Sequence, residues 1–252
     1  MTAAPEKLAL RIDDIGASSK EHLYYTKRWY SNFGPLRSRR LFGHWAPYRE
    51  MSPRDWHQVY RVLERFRAKL TVGITATWVE DDGALVPFPD KFPAEAAAIG
   101  EGVAKGLLEV ANHGLTHCVL ENGAFRRRPL YGTNRQFHRE FWDYLDAETH
   151  FDHLSRAQTI LTSYFKCEIT TLIPSGNVYS EKTLRACLRL GLRTVNCERP
   201  SIHIPEFPRV IGDDHVIPFH DRELVEQGIG WLEAKLRQLP RPPNRFVREL
   251  EP

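Results

Sequence analysis

Two clusters of ionisable residues stand out in this chain. An Asp pair, Asp13-Asp14, closes the apolar run Leu8-Ala9-Leu10-Arg11-Ile12. About a hundred residues later, two histidines follow in Asn112-His113-Gly114-Leu115-Thr116-His117. Together they offer a divalent ion one carboxylate and two imidazoles, and they leave a second carboxylate free beside it. That set suits a metal-dependent hydrolase, in which the ion acidifies a water and the spare carboxylate takes its proton. Two imidazoles with one carboxylate suit zinc or another borderline divalent ion.

Other groups complete such a chemistry. His220 stands at the end of an apolar run and can act as a general acid toward a leaving amine. Asp221 either orients it or starts the next helix. Pro174-Ser175-Gly176-Asn177 reads as a tight turn whose backbone donors can hold an oxyanion. Arg11 is the charge nearest the Asp pair, two positions before Asp13. His150 and His153 read as a solvated helix start.

The elements that must position these groups alternate. Strands are expected at Leu8 to Ile12, Leu70 to Val79, Leu107 to Ala111, Ile169 to Ile173, Leu192 to Asn196 and Val216 to Phe219. Helices are expected between them. The clearest is Pro53 to Phe66, with Ser52 as cap and Trp56, Val59, Tyr60, Leu63 and Phe66 at helical spacing. Others are Ala94 to Lys105, Phe151 to Phe165, Ser180 to Leu190 and Arg222 to Leu239. The tail from Pro240 reads as loose. This alternation favours a parallel sheet flanked by helices. The candidate groups cluster at the C-terminal ends of strands, where barrel enzymes keep their chemistry.

The motifs also resemble a family. Ile12-Asp13-Asp14 is similar to the Thr-Phe-Asp-Asp motif of NodB-like polysaccharide deacetylases (carbohydrate esterase family 4). His113-Gly114-Leu115-Thr116-His117 is similar to the family's His-Ser/Thr-x-x-His. Leu172-Ile173-Pro174-Ser175-Gly176 stands where the family has Arg-x-Pro-x-Gly, and Pro218-Phe219-His220-Asp221 resembles Leu-x-His. The resemblance implies a distorted (β/α) barrel with a parallel strand core. It implies that Asp14, His113 and His117 bind one divalent metal, zinc above others, that Asp13 is the general base and that His220 is the acid. It places oxyanion and substrate contacts at Pro174, Ser175, Gly176 and Asn177. The family's motif Arg, which contacts the base, is absent near Ile173.

Composition bounds the rest. The 252 residues, 42% hydrophobic and 27% charged with a net charge of +3, fit a single catalytic domain and do not call for nucleic acid. Insertions are expected at Tyr24 to Tyr48 and Glu121 to Glu148, rich in aromatics and Arg and rising over the active-site face. No stretch is apolar enough to span a bilayer. The start lacks the apolar core of a secretory signal, and the four cysteines show no paired spacing, so a reduced, cytoplasmic protein is expected. The sequence leaves the oligomeric state open. The expected substrate is an N-acetylated glycan or sugar precursor, such as one for lipopolysaccharide O-antigen or capsule. The alternatives are a hydrolase of a small non-sugar C–N bond and a non-catalytic carbohydrate-binding relative.

Overall fold

The computed structural model describes residues 6–22, 48–80, 82–118, 120–121, 124–125, 139–207 and 209–251. Its strands are β1 (Ala9–Ile15), β2 (Leu70–Ile74), β3 (Thr77–Val79), β4 (Leu85–Pro87), β5 (Leu108–Asn112), β6 (Leu120–Glu121), β7 (Ala124–Phe125), β8 (Thr171–Leu172), β9 (Thr194–Asn196), β10 (Val210–Ile211) and β11 (Val216–His220). Its α-helices are α1 (Ser19–His22), α2 (Pro53–Phe66), α3 (Phe88–Lys91), α4 (Pro93–Ala104), α5 (Ala147–Phe165), α6 (Glu181–Leu190), α7 (Asp221–Gln227) and α8 (Ile229–Arg237). The insertion expected at Tyr24 to Tyr48 lies outside the described residues except for Tyr48, as does most of that at Glu121 to Glu148.

Seven strands form one parallel sheet in the order β10-β9-β8-β5-β2-β1-β11. β1 and β9 stand four places apart, which in a flat sheet is roughly 19 Å at the usual strand spacing. Arg11 on β1 nevertheless donates to Asn196 Oδ1 on β9 at 2.6 Å. The sheet therefore curls into a half-barrel, the distorted barrel with a parallel core that the motifs imply.

Strand alternation explains its two faces. Leu10, Ile12, Leu70 and Val72 turn outward and join a core with Trp56, Val59, Tyr60 and Leu63 of α2, Ile99 of α4, and Leu232 and Leu236 of α8. The concave side is polar. Glu109 on β5 accepts from Thr71 Oγ1 and Thr171 Oγ1, at 2.6 Å each. A second core of Phe141, Leu154, Leu172, Leu184 and Val195 lies under α5 and α6.

Local signals set the helix limits. α2 begins at Pro53 behind a capping box of Ser52 and Asp55. α5 starts before the expected Phe151, because Asp146 caps it by accepting from the Thr149 amide at 2.7 Å. The expected strand Leu70 to Val79 divides: Thr77–Val79 pairs antiparallel with β4 instead of continuing in the main sheet. The closing helix also divides, at Gly228 with φ 75°. The tail is not loose. The Arg245 amide donates to Leu8 O, the Val247 amide to Thr71 Oγ1, and Arg209 Nη2 to Arg248 O and Leu250 O. Val247 is fully buried and closes the floor of the half-barrel.

Candidate active site

Near the end of β1, pairing with β2 shifts register between Ile12 and Ile15. Asp14 sits there in the left-handed region, φ 70°, which costs a non-glycine residue about 1–2 kcal/mol. On a regular strand Asp13 and Asp14 would face opposite sides. The irregularity turns both toward the histidines that follow β5.

Asp14 Oδ1 lies 3.0 Å from His117 Nε2 and 3.4 Å from His113 Nε2. One ligand atom from each of the three residues falls within 4.8 Å of the others. His113 Nδ1 is 2.7 Å from Ile173 O. A carbonyl can only accept, so Nδ1 carries the proton and Nε2 keeps its lone pair toward Asp14. His117 Nδ1 is 3.4 Å from Ser19 Oγ. Burial opposes charge on Asp14, yet His117 and His113 hold it well below the usual carboxylate range. Burial likewise opposes charge on His113, which Asp14 and Asp13 raise above the ordinary imidazole value. This partly buried carboxylate demands positive charge, and protons or a divalent cation can supply it. Two Nε2 lone pairs and a carboxylate, each imidazole held from behind through Nδ1, fit such an ion.

Asp13 is buried, at 4% exposure. Arg11 Nε and Nη2 approach its Oδ2 at 3.1 and 3.0 Å, while Arg11 Nη1 reaches Asn196 Oδ1 and, at 2.8 Å, Asp213 Oδ1. Asp13 Oδ1 is buried with no hydrogen-bonding partner among the described residues. Gly73 of β2 keeps the space beside it open. A Cβ there would stand 3.4 Å from Asp13 Oδ1, 3.4 Å from His113 Cγ and 3.2 Å from Ile173 Cδ1.

His220 is the register partner of Asp13 across β1 and β11. Its side chain is half-exposed, with Nδ1 3.9 Å from Glu223 Oε2. Partial burial works against its charge, but Asp14 and Asp13 raise its pKa above the ordinary value. Asp221 neither orients His220 nor caps the helix. Its carboxylate pairs with the buried Lys20 and accepts from Tyr48 Oη at 2.8 Å.

Pro174 leads into a 3₁₀ turn over Ser175–Asn177, with Gly176 at φ 63°. Ser175 is fully buried, and its hydroxyl donates to His113 O at 3.1 Å and lies 3.3 Å from Glu140 Oε2. The Asn177 amide donates to Pro174 O at 3.0 Å, and its Oδ1 accepts from the Glu198 amide.

Arg11, the charge that the sequence places nearest the Asp pair, contacts Asp13. The signal was present, since residues two apart on a strand share a face. Gly73, Asn196 and Asp213 gave no local signal, and neither did Glu140, whose carboxylate accepts from His153 Nδ1 at 2.7 Å and from the amides of the histidine loop. The solvated helix start expected for His150 and His153 does not hold. His150 is fully buried between Thr183 Oγ1 and Trp142 O.

The family profile described as polysaccharide deacetylase matches residues 47–195. No curated protein matches the chain. Among solved structures, the BpsB deacetylase domain from Bordetella bronchiseptica is similar at 14% identity and TM-score 0.43, over 66% of this chain and 67% of that one. The wild-type BA3943 pseudoenzyme of carbohydrate esterase family 4 from Bacillus anthracis is similar at 13% and 0.47, over 76% of this chain and 59% of that one. A de-N-acetylase from Aggregatibacter actinomycetemcomitans is similar at 12% and 0.46, over 89% and 98%. This chain thus spans less than two thirds of the second.

Proposed function

The chain belongs to the polysaccharide deacetylase family, and on that premise we propose that it hydrolyses N-acetyl groups from a carbohydrate with the help of one divalent metal. The observation that carries this reading is the convergence of Asp14, His113 and His117 beside a buried Asp13 whose Oδ1 has no partner among the described residues. These three residues would hold the ion. When bound, the ion acidifies a water and polarises an acyl oxygen, and zinc suits the donor set.

The chain's own groups divide the proton work. Asp13 Oδ1 takes the proton of the attacking water, while Arg11 occupies Oδ2 and orients the carboxylate. The turn at Ser175 and Gly176 offers amides to the developing oxyanion. His220, beside Asp13 in register, gives a proton to the departing nitrogen. Water and the acetamide thereby become acetate and a free amino sugar.

A surface-polysaccharide precursor is the substrate class this reading favours. The four cysteines are unpaired, which suits a reducing compartment, and a precursor is the form of glycan met there. No helix of the described residues is long and apolar enough to cross a membrane. The motif Arg absent near Ile173 would favour a non-catalytic relative, but Arg11 on Asp13 Oδ2 supports catalysis. The test is acetate release by zinc-loaded protein from a panel of N-acetylated glycans and nucleotide sugars. Activity on at least one, lost in Asp13→Asn, supports the reading. Zinc-loaded protein that releases acetate from none of them overturns it.

A further inference from the structure

The metal-site histidines are themselves held by a group that the proposed chemistry does not use. Glu140 is a fully enclosed carboxylate, at 1% exposure. Its Oε1 accepts from the Leu115 amide at 2.8 Å and its Oε2 from the His117 amide at 2.9 Å. The Thr116 amide lies 3.3 Å from both oxygens, and Ser175 Oγ 3.3 Å from Oε2. His153 Nδ1 approaches Oε1 at 2.7 Å. Three consecutive amides turned onto one anion form a nest. The nest requires unusual backbone, with Gly114 at φ 92° and His117 at φ 57°. A Cβ at Gly114 would stand 2.2 Å from Glu140 Oε2, so the loop closes on the carboxylate with no room to spare.

Burying a charge is costly unless it is fully bonded, and here each oxygen has several donors. The residue is fixed from its own side as well. Phe141 is fully buried in the second core and meets the His150 ring edge-on, with centroids 5.8 Å apart. One charge therefore ties together the loop between His113 and His117, the Pro174 turn and helix α5.

We propose that Glu140 is a positioning residue of the metal site, a strap that fixes the His113–His117 loop so that both imidazoles reach the ion together. This rests on the reading of Asp14, His113 and His117 as the metal centre. It does not rest on the substrate or on turnover. Outer partners of metal ligands commonly contribute 10–100-fold in affinity. Because Glu140 bonds the ligand loop and not the ion, its effect should appear in binding of the metal itself.

The experiment is Zn²⁺ affinity by chelator competition, with Co²⁺ absorption as a second readout, on the full chain. Wild type, Glu140→Gln, His153→Gln and Asp13→Asn are compared, each with its thermal transition. A folded Glu140→Gln should bind Zn²⁺ about 10–100-fold more weakly and show an altered Co²⁺ band. Asp13→Asn should bind as wild type does. Glu140→Gln that melts cooperatively and binds Zn²⁺ with wild-type affinity overturns the proposal. If Glu140→Gln does not fold, His153→Gln decides: it leaves the carboxylate but removes its pin, and wild-type affinity there overturns the strap equally. A wild type that binds neither Zn²⁺ nor Co²⁺ overturns the metal centre and the strap together. Wild type that binds zinc without releasing acetate removes only the deacetylase reading.

Discussion

Arg11 and Asp13 are two residues apart on β1, and the guanidinium places both Nε and Nη2 on one oxygen of the carboxylate, Oδ2, at 3.1 and 3.0 Å. The other oxygen, Oδ1, is left buried and without a partner among the described residues. The pair divides one carboxylate into an anchored atom and a free one. In the proposed chemistry the free atom takes the proton.

Arg11 should therefore affect both stability and rate. Arg11→Met leaves Asp13 and Asp213 facing each other without their shared cation, and loss of one partner from a buried pair costs about 3–5 kcal/mol. Arg11→Lys keeps the charge but loses the planar fork that spans Asp13, Asn196 and Asp213. We expect Arg11→Lys to fold, to retain zinc, and to release acetate roughly 10–100-fold more slowly, as expected when a base is poorly positioned. Melting curves and turnover on the same preparations check this. An Arg11→Lys protein as fast as wild type would show that the contact is structural only.

In the proposed chemistry Asp13 and Asp14 are neighbours with different work. Asp13→Asn should leave zinc content nearly unchanged and cut turnover by about 10²–10⁴-fold. His113→Ala should lose the ion together with the activity, and removal of the metal from wild type with a chelator should have the same effect. Elemental analysis beside acetate release distinguishes the cases. Wild-type turnover in Asp13→Asn rules out Asp13 as the base.

Gly73 separates space from stability. Ala fits a strand at least as well as Gly does, so Gly73→Ala should change the unfolding midpoint little. Its Cβ would press on Ile173 Cδ1 at 3.2 Å and fill the space beside Asp13 Oδ1 and His113 Cγ, each 3.4 Å away. Turnover should fall while the fold stays intact. Unfolding curves and acetate assays on the variant test the pair of expectations, and full activity would show that the base and the histidine move aside freely.

Glu109 lies in the floor, far along β5 from the ligands. Burial raises its pKa above the ordinary 4.5, so the folded chain binds a proton that the unfolded chain has already released. That contribution is complete below about pH 4.5 and is lost as pH rises through the raised value, with a slope of at most about 1.4 kcal/mol per pH unit. Glu109→Gln removes the titration. Urea unfolding across this window should show wild type losing more stability with rising pH than Glu109→Gln does, and parallel curves would contradict the assignment.

The sequence by itself determined the features that depend on near neighbours. Pro53 to Phe66 was legible because a cap, a proline and an apolar stripe lie within one segment, and α2 has those limits. The strand-helix alternation determined a parallel sheet, and motif order pointed to the family. Only the tertiary structure decided which groups meet. Curling of the sheet carries Arg11 to Asn196 and Asp213, nearly two hundred residues and more away along the chain. Glu140 reaches the histidine loop because Phe141 is buried in the second core and His153 faces it from α5. The Pro- and Arg-rich tail is ordered because its backbone finds partners on Leu8 and Thr71. Local pattern sets which face of an element is apolar, whereas a buried charge is stable only where the fold brings its donors, and those donors come from distant parts of the chain.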